Sequence, residues 1–373
     1  MTQQAGRPAI RQESSVVSRS TRRRGVALAT ALGALLLASL LAAGSIAWSI
    51  HLQRSATGAL HELRARESAE YGVTWTLANW RREWSTGLAP GEAIEVYRAT
   101  PIPSTEVAAT VARGAGTLFW IASTGQAGMA SPRRTARRSL VALAQLDLPS
   151  ELPRAALTAL GPLRVAGVVS ATGSTSAAAC GSQQAALALP DSALLCAGEC
   201  SGGGSVTGNP ALLVDPALGS DAWRERVLDP LRRYLSERAT VVGDTAPAVL
   251  ATPIGPSDCA AGASGSAGCS GTPVVYARGD VAIEGDGRGA LLADGRVELR
   301  NGASWRGLVV ALGGLSIGSG SRLVGAAIVR NGAAYSDVGL EASVVYEPCE
   351  VMEVLLSVAR PRALPGRWLM EVF

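Results

Sequence analysis

The chain has no lysine and only two histidines, His51 and His61. All 34 basic residues are therefore arginine, which together with abundant Ala and Gly reflects the codon bias of a GC-rich genome. Catalysis of the Ser-His-Asp or Cys-His kind needs an imidazole beside the nucleophile, and none is present beyond residue 61. The same shortage requires any zinc site to be all-cysteine or carboxylate-assisted. No charged residue occurs between Val26 and Ile50, and no cysteine before Cys180. The net charge of +4 comes largely from the first 24 residues, where Arg7, Arg11, Arg19 and Arg22 to Arg24 outweigh Glu13. The nearly neutral remainder excludes a basic nucleic-acid surface, and the Arg133 to Arg138 cluster has no interleaved aromatics on which bases could stack.

What is present is a period. Gly271, Gly289, Gly307, Gly325 and Ser343 recur every 18 residues, each opening a short apolar run such as Leu308-Val309-Val310. A second alternation, Val281-Ala-Ile283, Val297-Glu-Leu299 and Leu315-Ser-Ile317, follows at about the same spacing, with 281 two residues late. Asn301-Gly302 and Gly313-Gly314 supply turns. A fixed period filled with β-formers and turn residues predicts a stacked β-solenoid with two strand ladders.

The uncharged stretch Val26 to Ile50 is 25 residues long, enough to cross about 30 Å of hydrocarbon at about 1.5 Å per residue. It exceeds a secretory h-region of about 7 to 15 residues. Arg22-Arg23-Arg24 ahead of it places the N-terminus in the cytoplasm and the bulk outside. His51 to Trp84 holds helix formers and no proline, so the helix is expected to continue as a stalk. Its apolar positions Leu52, Ala56, Ala59, Leu60, Leu63, Tyr71, Trp75 and Leu77 mark the face to be covered. Ile94 to Arg98, Glu106 to Arg113 and Thr117 to Thr124 read as strands of an antiparallel sheet that supplies the cover. Asp221 to Glu237 has a helical apolar period interrupted by Pro230, which predicts a kink or two short helices.

The run Arg24-Gly25-Val26-Ala27-Leu28-Ala29-Thr30-Ala31-Leu32 before a Leu/Ala-rich span resembles the N-terminus of prepilin-like proteins, especially PilX-type minor pilins and the K-type minor pseudopilin. Arg66-Glu67-Ser68-Ala69-Glu70-Tyr71-Gly72 looks like the region that follows the membrane helix in that family, and Phe119 to Gly125 followed by the arginine cluster resembles its head strand. The resemblance implies a peptidase cut after Gly25 that frees Val26. Major pilins carry a glutamate where this chain has Thr30, and the K-type tip subunit also departs there. A buried membrane carboxylate persists only with a partner, so Thr30 fits a subunit with nothing ahead of it and equally a plain uncleaved anchor. The repeat region loosely resembles the bactofilin solenoid.

Cys180, Cys196, Cys200, Cys259, Cys269 and Cys349 are even in number and lie in Gly/Ser-rich surroundings, which favours disulfides in an oxidising compartment over metal binding. Asp280, Glu284, Asp286, Asp294 and Glu298 lie within the repeat, where carboxylate pairs serve glycosidases. Their Arg-Gly-Asp, Gly-Asp-Gly and Ala-Asp-Gly contexts instead mark turns. Gly285 to Gly289 lacks the Lys-Ser/Thr of a P-loop and the ordered acids of a calcium loop.

The expectation is thus an α+β chain: a cytoplasmic basic leader (1–25), a transmembrane helix (26–50), a stalk helix (51–86), and an α+β head with a small antiparallel sheet (87–250). A linker (251–272), a β-solenoid (273–350) and a C-terminal cap or tail (351–373) follow. It is expected to be a non-enzymatic, single-pass inner-membrane protein, its bulk periplasmic or extracellular, joining a type IV pilus-like filament as a minor pilin or pseudopilin. The partners implied are other pilin-like subunits, a prepilin peptidase and the inner membrane. No catalytic residue, metal, cofactor or nucleic acid is expected. A membrane-anchored adhesin or carbohydrate-binding module outside any filament is the alternative, and an anchored glycosidase the third reading.

Overall fold

The computed structural model describes residues 24–128, 135–171, 185–195, 204–239, 241–243, 248–250, 274–300, 302–330 and 336–371. Arg24–Ala78 form one 55-residue helix, α1. It ends where Asn79 turns both its backbone N–H and its side-chain amide back to the Trp75 carbonyl, at 2.8 and 2.9 Å. The expected 51–86 stalk is therefore broken after Ala78, and Arg82–Thr86 form a separate turn, α2. Aromatic packing accounts for the break. Trp80 leaves the helix to sit edge-on to Trp84 and Phe119, and its indole N–H donates to Ser85 at 2.7 Å.

Four strands follow: β1 (Ala93–Ala99), β2 (Thr105–Arg113), β3 (Leu118–Ala127) and β4 (Ala136–Asp147). They pair antiparallel in chain order, and the alternating burial of β2 and β3 puts one face against α1. Close approach selects small residues for that contact. Ala65, Ser68, Ala69, Gly72, Val73 and Thr76 are the buried helix positions. A methyl on Gly125 of β3 would fall on the Ala65 carbonyl and the Ala69 amide, and one on Gly72 would meet Ser123 and Val107.

The rest of the chain is mostly parallel β. The remaining strands are β5 (Ala155–Ala159), β6 (Leu163–Val165), β7 (Val168–Ser170), β8 (Ala185–Leu189), β9 (Ser205–Thr207), β10 (Leu212–Val214), β11 (Val241–Gly243) and β12 (Ala248–Leu250). Then come β13 (Val274–Ala277), β14 (Val281–Ile283), β15 (Asp286–Ala293), β16 (Arg296–Leu299), β17 (Ser304–Ala311), β18 (Gly314–Ile317), β19 (Arg322–Val329), β20 (Ser336–Val338), β21 (Ser343–Tyr346) and β22 (Arg360–Glu371). One sheet runs β10-β8-β5-β19-β17-β15-β13-β11 with β21, β7 and β9 attached; the other runs β12-β14-β16-β18-β20-β6.

The registers show where the period holds. Gly289, Gly307 and Gly325 stand opposite one another at 18-residue offsets, and Arg296 stands opposite Gly314. The flanking steps differ: Val274 pairs with Ala290 and Arg322 with Ser343. Ser343 is thus out of the glycine column, whose next place is taken by Tyr346, and Gly271 lies outside the described residues. The glycines are demanded by geometry. Their φ angles are +145°, +121° and +134°, and a methyl on Gly307 or Gly325 would strike the carbonyl oxygen of the glycine before it.

In β15, β17 and β19 the last five residues are all buried, the pattern of parallel strands covered on both faces. Helices provide the outer cover. Residues 221–236, α3, pack Leu231, Tyr234 and Leu235 inward, and α4 (Pro348–Val358) buries Val351, Val354 and Leu355. Tyr234 ties them together, its hydroxyl donating to the Leu355 carbonyl at 3.1 Å. Pro230 does not split α3. A π-helical segment, Arg224–Leu228, directly precedes it, so the ring and its missing N–H are absorbed by a wider turn.

Two expected boundaries fall differently. The strands between 155 and 214 join the same parallel sheets as the 18-residue repeat, Leu157 standing opposite Ala327 and Leu163 opposite Ser336, so sheet membership divides the expected 87–250 head after β4. The tail does not cap the repeat. It forms α4 and then β22, which pairs antiparallel with β4 and completes the five-stranded sheet. An ion-pair cluster fastens this crossing. Arg288 of β15 meets Glu350 and Glu353 of α4 at 3.0 and 2.8 Å, and Arg82 of α2 meets Glu353 at 3.4 Å.

Candidate functional site

The surface that the fold leaves open is one side of α1. From Leu28 to Trp48 the large apolar side chains are exposed, and beyond the uncharged stretch Leu52, Leu60 and Leu63 stay 52, 45 and 53% exposed. At 3.6 residues per turn these three fall on the side of α1 opposite the small residues that meet the sheet. The apolar positions expected to be covered are therefore divided. The sheet takes the small-residue face together with Trp75 and Leu77, Trp75 stacking on Tyr97 of β1 with ring centroids 4.1 Å apart, while Leu52, Leu60 and Leu63 form a stripe that continues the apolar span outward. Where α1 lies directly on the strands the contact takes Ala, Ser and Gly, and the larger Trp75 and Leu77 fit only near the end of the helix. The i, i+4 spacing of Ala65, Ala69 and Val73, with Ser68 and Gly72 beside them, was the available signal.

Among the described residues, α1 is one helix long and apolar enough to cross a membrane. Trp48 and His51, with ring centroids 6.3 Å apart, stand midway along it, where the uncharged stretch ends. Gly25, Val26 and Thr30 all lie within α1. Cys349 is the second residue of α4; Cys180, Cys196, Cys200, Cys259 and Cys269 lie outside the described residues.

The repeat carboxylates are brought to separate structural tasks. Asp280 accepts the Arg296 backbone N–H at 2.8 Å across a turn. Asp294 accepts the Tyr276 hydroxyl at 2.7 Å and pairs with Arg232 at 3.0 Å. The hydrogen bond to that carboxylate raises the Tyr276 pKa above the ordinary phenol value. Glu284 and Glu298 line an open surface cleft of about 420 Å³, but Arg300 pairs with both of them. Asp286 opens β15 on the exposed surface. Among the described residues no group of three or more His, Cys, Asp or Glu could hold a metal.

No protein-family model matches the chain, and no curated protein matches it. Among solved structures, the crystal structure of the competence-associated pilin ComZ from Thermus thermophilus aligns over 84% of this chain and 98% of that one, at 13% identity and a TM-score of 0.26.

Proposed function

We propose that this chain is a non-enzymatic, single-pass membrane subunit of the minor pilin or pseudopilin type, which acts by packing α1 among similar helices. The observation that carries this reading is the apolar stripe of α1, which continues from the uncharged span through Leu52, Leu60 and Leu63 on the side turned away from the sheet. A helix anchored only in lipid has no need of large apolar side chains beyond the bilayer, where exposure to water is unfavourable by about 25 cal/mol per Å². The prepilin-like residues around Gly25 and Val26 support the same reading, with a peptidase cut between them. Thr30 in place of a glutamate supports a place at the tip.

On this reading the two parallel ladders form a β-solenoid displayed outside the cytoplasm, with the 18-residue registers of β15, β17 and β19 as its central coils. No described cysteine is free, which supports a disulfide at Cys349 and an oxidising compartment.

Two measurements test the proposal. Intact mass spectrometry of the protein from its native membranes is expected to give an N-terminus at Val26, and an intact leader would overturn the processing step. Cysteine placed at Leu60 or Leu63 is expected to crosslink to another pilin-like helix, while cysteine at Ala65 is not. Cysteines at Leu60 and Leu63 that react with a soluble thiol reagent but give no crosslink would overturn assembly through α1.

A further inference from the structure

We infer that α1 pairs with a second copy of itself, parallel and in register, along a seam of heptad spacing on the side turned away from the sheet. The inference rests on α1 crossing a membrane, and it goes beyond the proposed helix packing by naming the partner and the contact. Within the uncharged stretch the seam is Ala31, Leu35, Ala38, Ala42, Ser45 and Ser49; beyond Ile50 it continues as Leu52, Ala56, Ala59 and Leu63. The steps alternate between four and three residues without a break, the spacing that keeps one face of a helix against a partner in a left-handed coil. All of these residues are exposed. Ala65, Ser68 and Gly72, which face the sheet, fall off the seam, so the two contacts do not compete. Arg66 and Glu70 are the last seam positions, because the next, Val73, is fully buried against the sheet.

Side-chain size along the seam follows the medium. In lipid, apolar surface gains nothing by moving onto another helix, so association depends on close approach and selects small residues. Between 31 and 49 the seam holds one large side chain, Leu35, while Leu36, Leu40, Ile46 and Trp48 lie off it. The Ser45 hydroxyl is satisfied by the Ala42 carbonyl at 2.9 Å and brings no unpaired donor to the contact. In water, burial of large apolar side chains drives pairing, and there the seam carries Leu52 and Leu63, 52 and 53% exposed. Area and charge both suit a second copy. From Ala31 to Glu70 the seam is about 60 Å long, so a contact about 10 Å wide covers about 600 Å² on each helix, and the pair passes the about 1,000 Å² that a specific interface needs. Both copies enter the membrane from the same side, which fixes the parallel sense. Arg66 and Glu70 pair within the chain at 2.8 Å, each about half exposed. In a parallel coil each seam side chain enters a hole of four residues, and for Arg66 that hole includes Glu67 and Glu70 of the other copy. Both arginines thereby gain a second carboxylate.

The test is oxidative crosslinking of the full chain in its native membranes, with two differently tagged copies that carry one added cysteine at the same position. Cysteine at Leu52, Ala56, Ala59 or Leu63 is expected to join the two tags at least about tenfold faster than cysteine at Arg54 or Gly58, because a disulfide needs Cβ atoms about 4 Å apart. Equal rates on and off the seam would overturn it. Ala38→Leu with Ala42→Leu keeps the span apolar but widens the seam, and is expected to slow the crosslink at Ala59→Cys at least about fivefold, whereas Ala43→Leu with Ala47→Leu, off the seam, leaves it unchanged. An undiminished crosslink in the Ala38→Leu, Ala42→Leu variant would overturn the pairing as well. Crosslinks from Leu63→Cys to a different pilin-like helix but never to the second tag would overturn the pairing and leave filament assembly standing. Recovery of the chain in the soluble fraction after alkaline extraction would identify a failure of the membrane-spanning reading, and the inference would fall with it.

Discussion

Replacing Gly325 by alanine tests why glycine recurs every 18 residues. Two penalties combine at this position. Its φ of +134° is a backbone conformation that costs an L-residue about 1 to 3 kcal/mol. The added methyl would also lie on the carbonyl oxygen and carbon of Gly307, so β17 and β19 must separate locally. Separation weakens the ladder bonds between β17 and β19, whose register puts Gly307 opposite Gly325 and Leu308 opposite Ala326. One buried group left unpaired there adds about 1 to 3 kcal/mol. The expected loss is about 3 to 5 kcal/mol, a large fraction of the about 5 to 15 kcal/mol that holds a domain together. The matching control is Gly320→Ala, where φ is +70° but no atom lies within 4 Å of the new methyl. It carries the conformational penalty without the collision, about 1 to 2 kcal/mol. Melting of the full chain in detergent, followed by the fluorescence of the fully buried Trp305, is expected to fall by about 6 to 20 °C for Gly325→Ala and by a few degrees for Gly320→Ala. Equal shifts for the two variants would refute the collision argument and leave the glycine column without a packing reason.

Three further outcomes follow from other parts of the molecule. Gly125→Val is expected to lift α1 from the sheet, because its side chain meets the backbone of Ala65 and Ala69; hydrogen exchange at residues 65–76 should rise while exchange in β17 stays constant. Tyr346 is buried with its hydroxyl on the Pro153 carbonyl at 3.1 Å, and burial pushes its pKa up to about 12. The folded state therefore holds this proton more tightly than the unfolded chain, so the stabilisation is complete below pH about 10 and is lost as pH rises to about 12, by roughly 2 to 3 kcal/mol; Tyr346→Phe should flatten that part of a urea-stability profile. Glu350→Gln removes the half-buried partner of Arg288 and is expected to destabilise by about 1 to 3 kcal/mol. A double-mutant cycle with Arg288→Met should show coupling that 0.5 M salt only partly removes.

Several features were legible in the residues because they arise from local chemistry. The uncharged run and the helix formers after it specify α1, since backbone hydrogen bonds within a helix need no partner from elsewhere. Alternation of apolar residues located β1 to β3 within a few positions. The 18-residue spacing of Gly289, Gly307 and Gly325 appeared directly as their cross-strand register. For the candidate surface, the same list of apolar stalk residues held both the covered and the open positions. A hydrophobicity pattern ranks large side chains as buried, whereas the separation between a helix and a sheet selects small ones.

Strand partnership was not legible, because the hydrogen bonds that join strands are made by groups every residue carries. Nothing in Ala155 to Ala159 says that it will lie beside β19 rather than β4, and nothing in Arg360 to Glu371 says that it will return to β4 across α4. Those choices depend on which edges remain open once the helices have covered the parallel strands, and on Arg288 and Arg82 meeting Glu353. Periodicity and polarity along the chain established the membrane-length helix and the repeating strands. The joining of the two ends into one five-stranded sheet, and the choice of which side of α1 stays open, came from long-range packing, where the distance of approach outweighs the apolarity of any single residue.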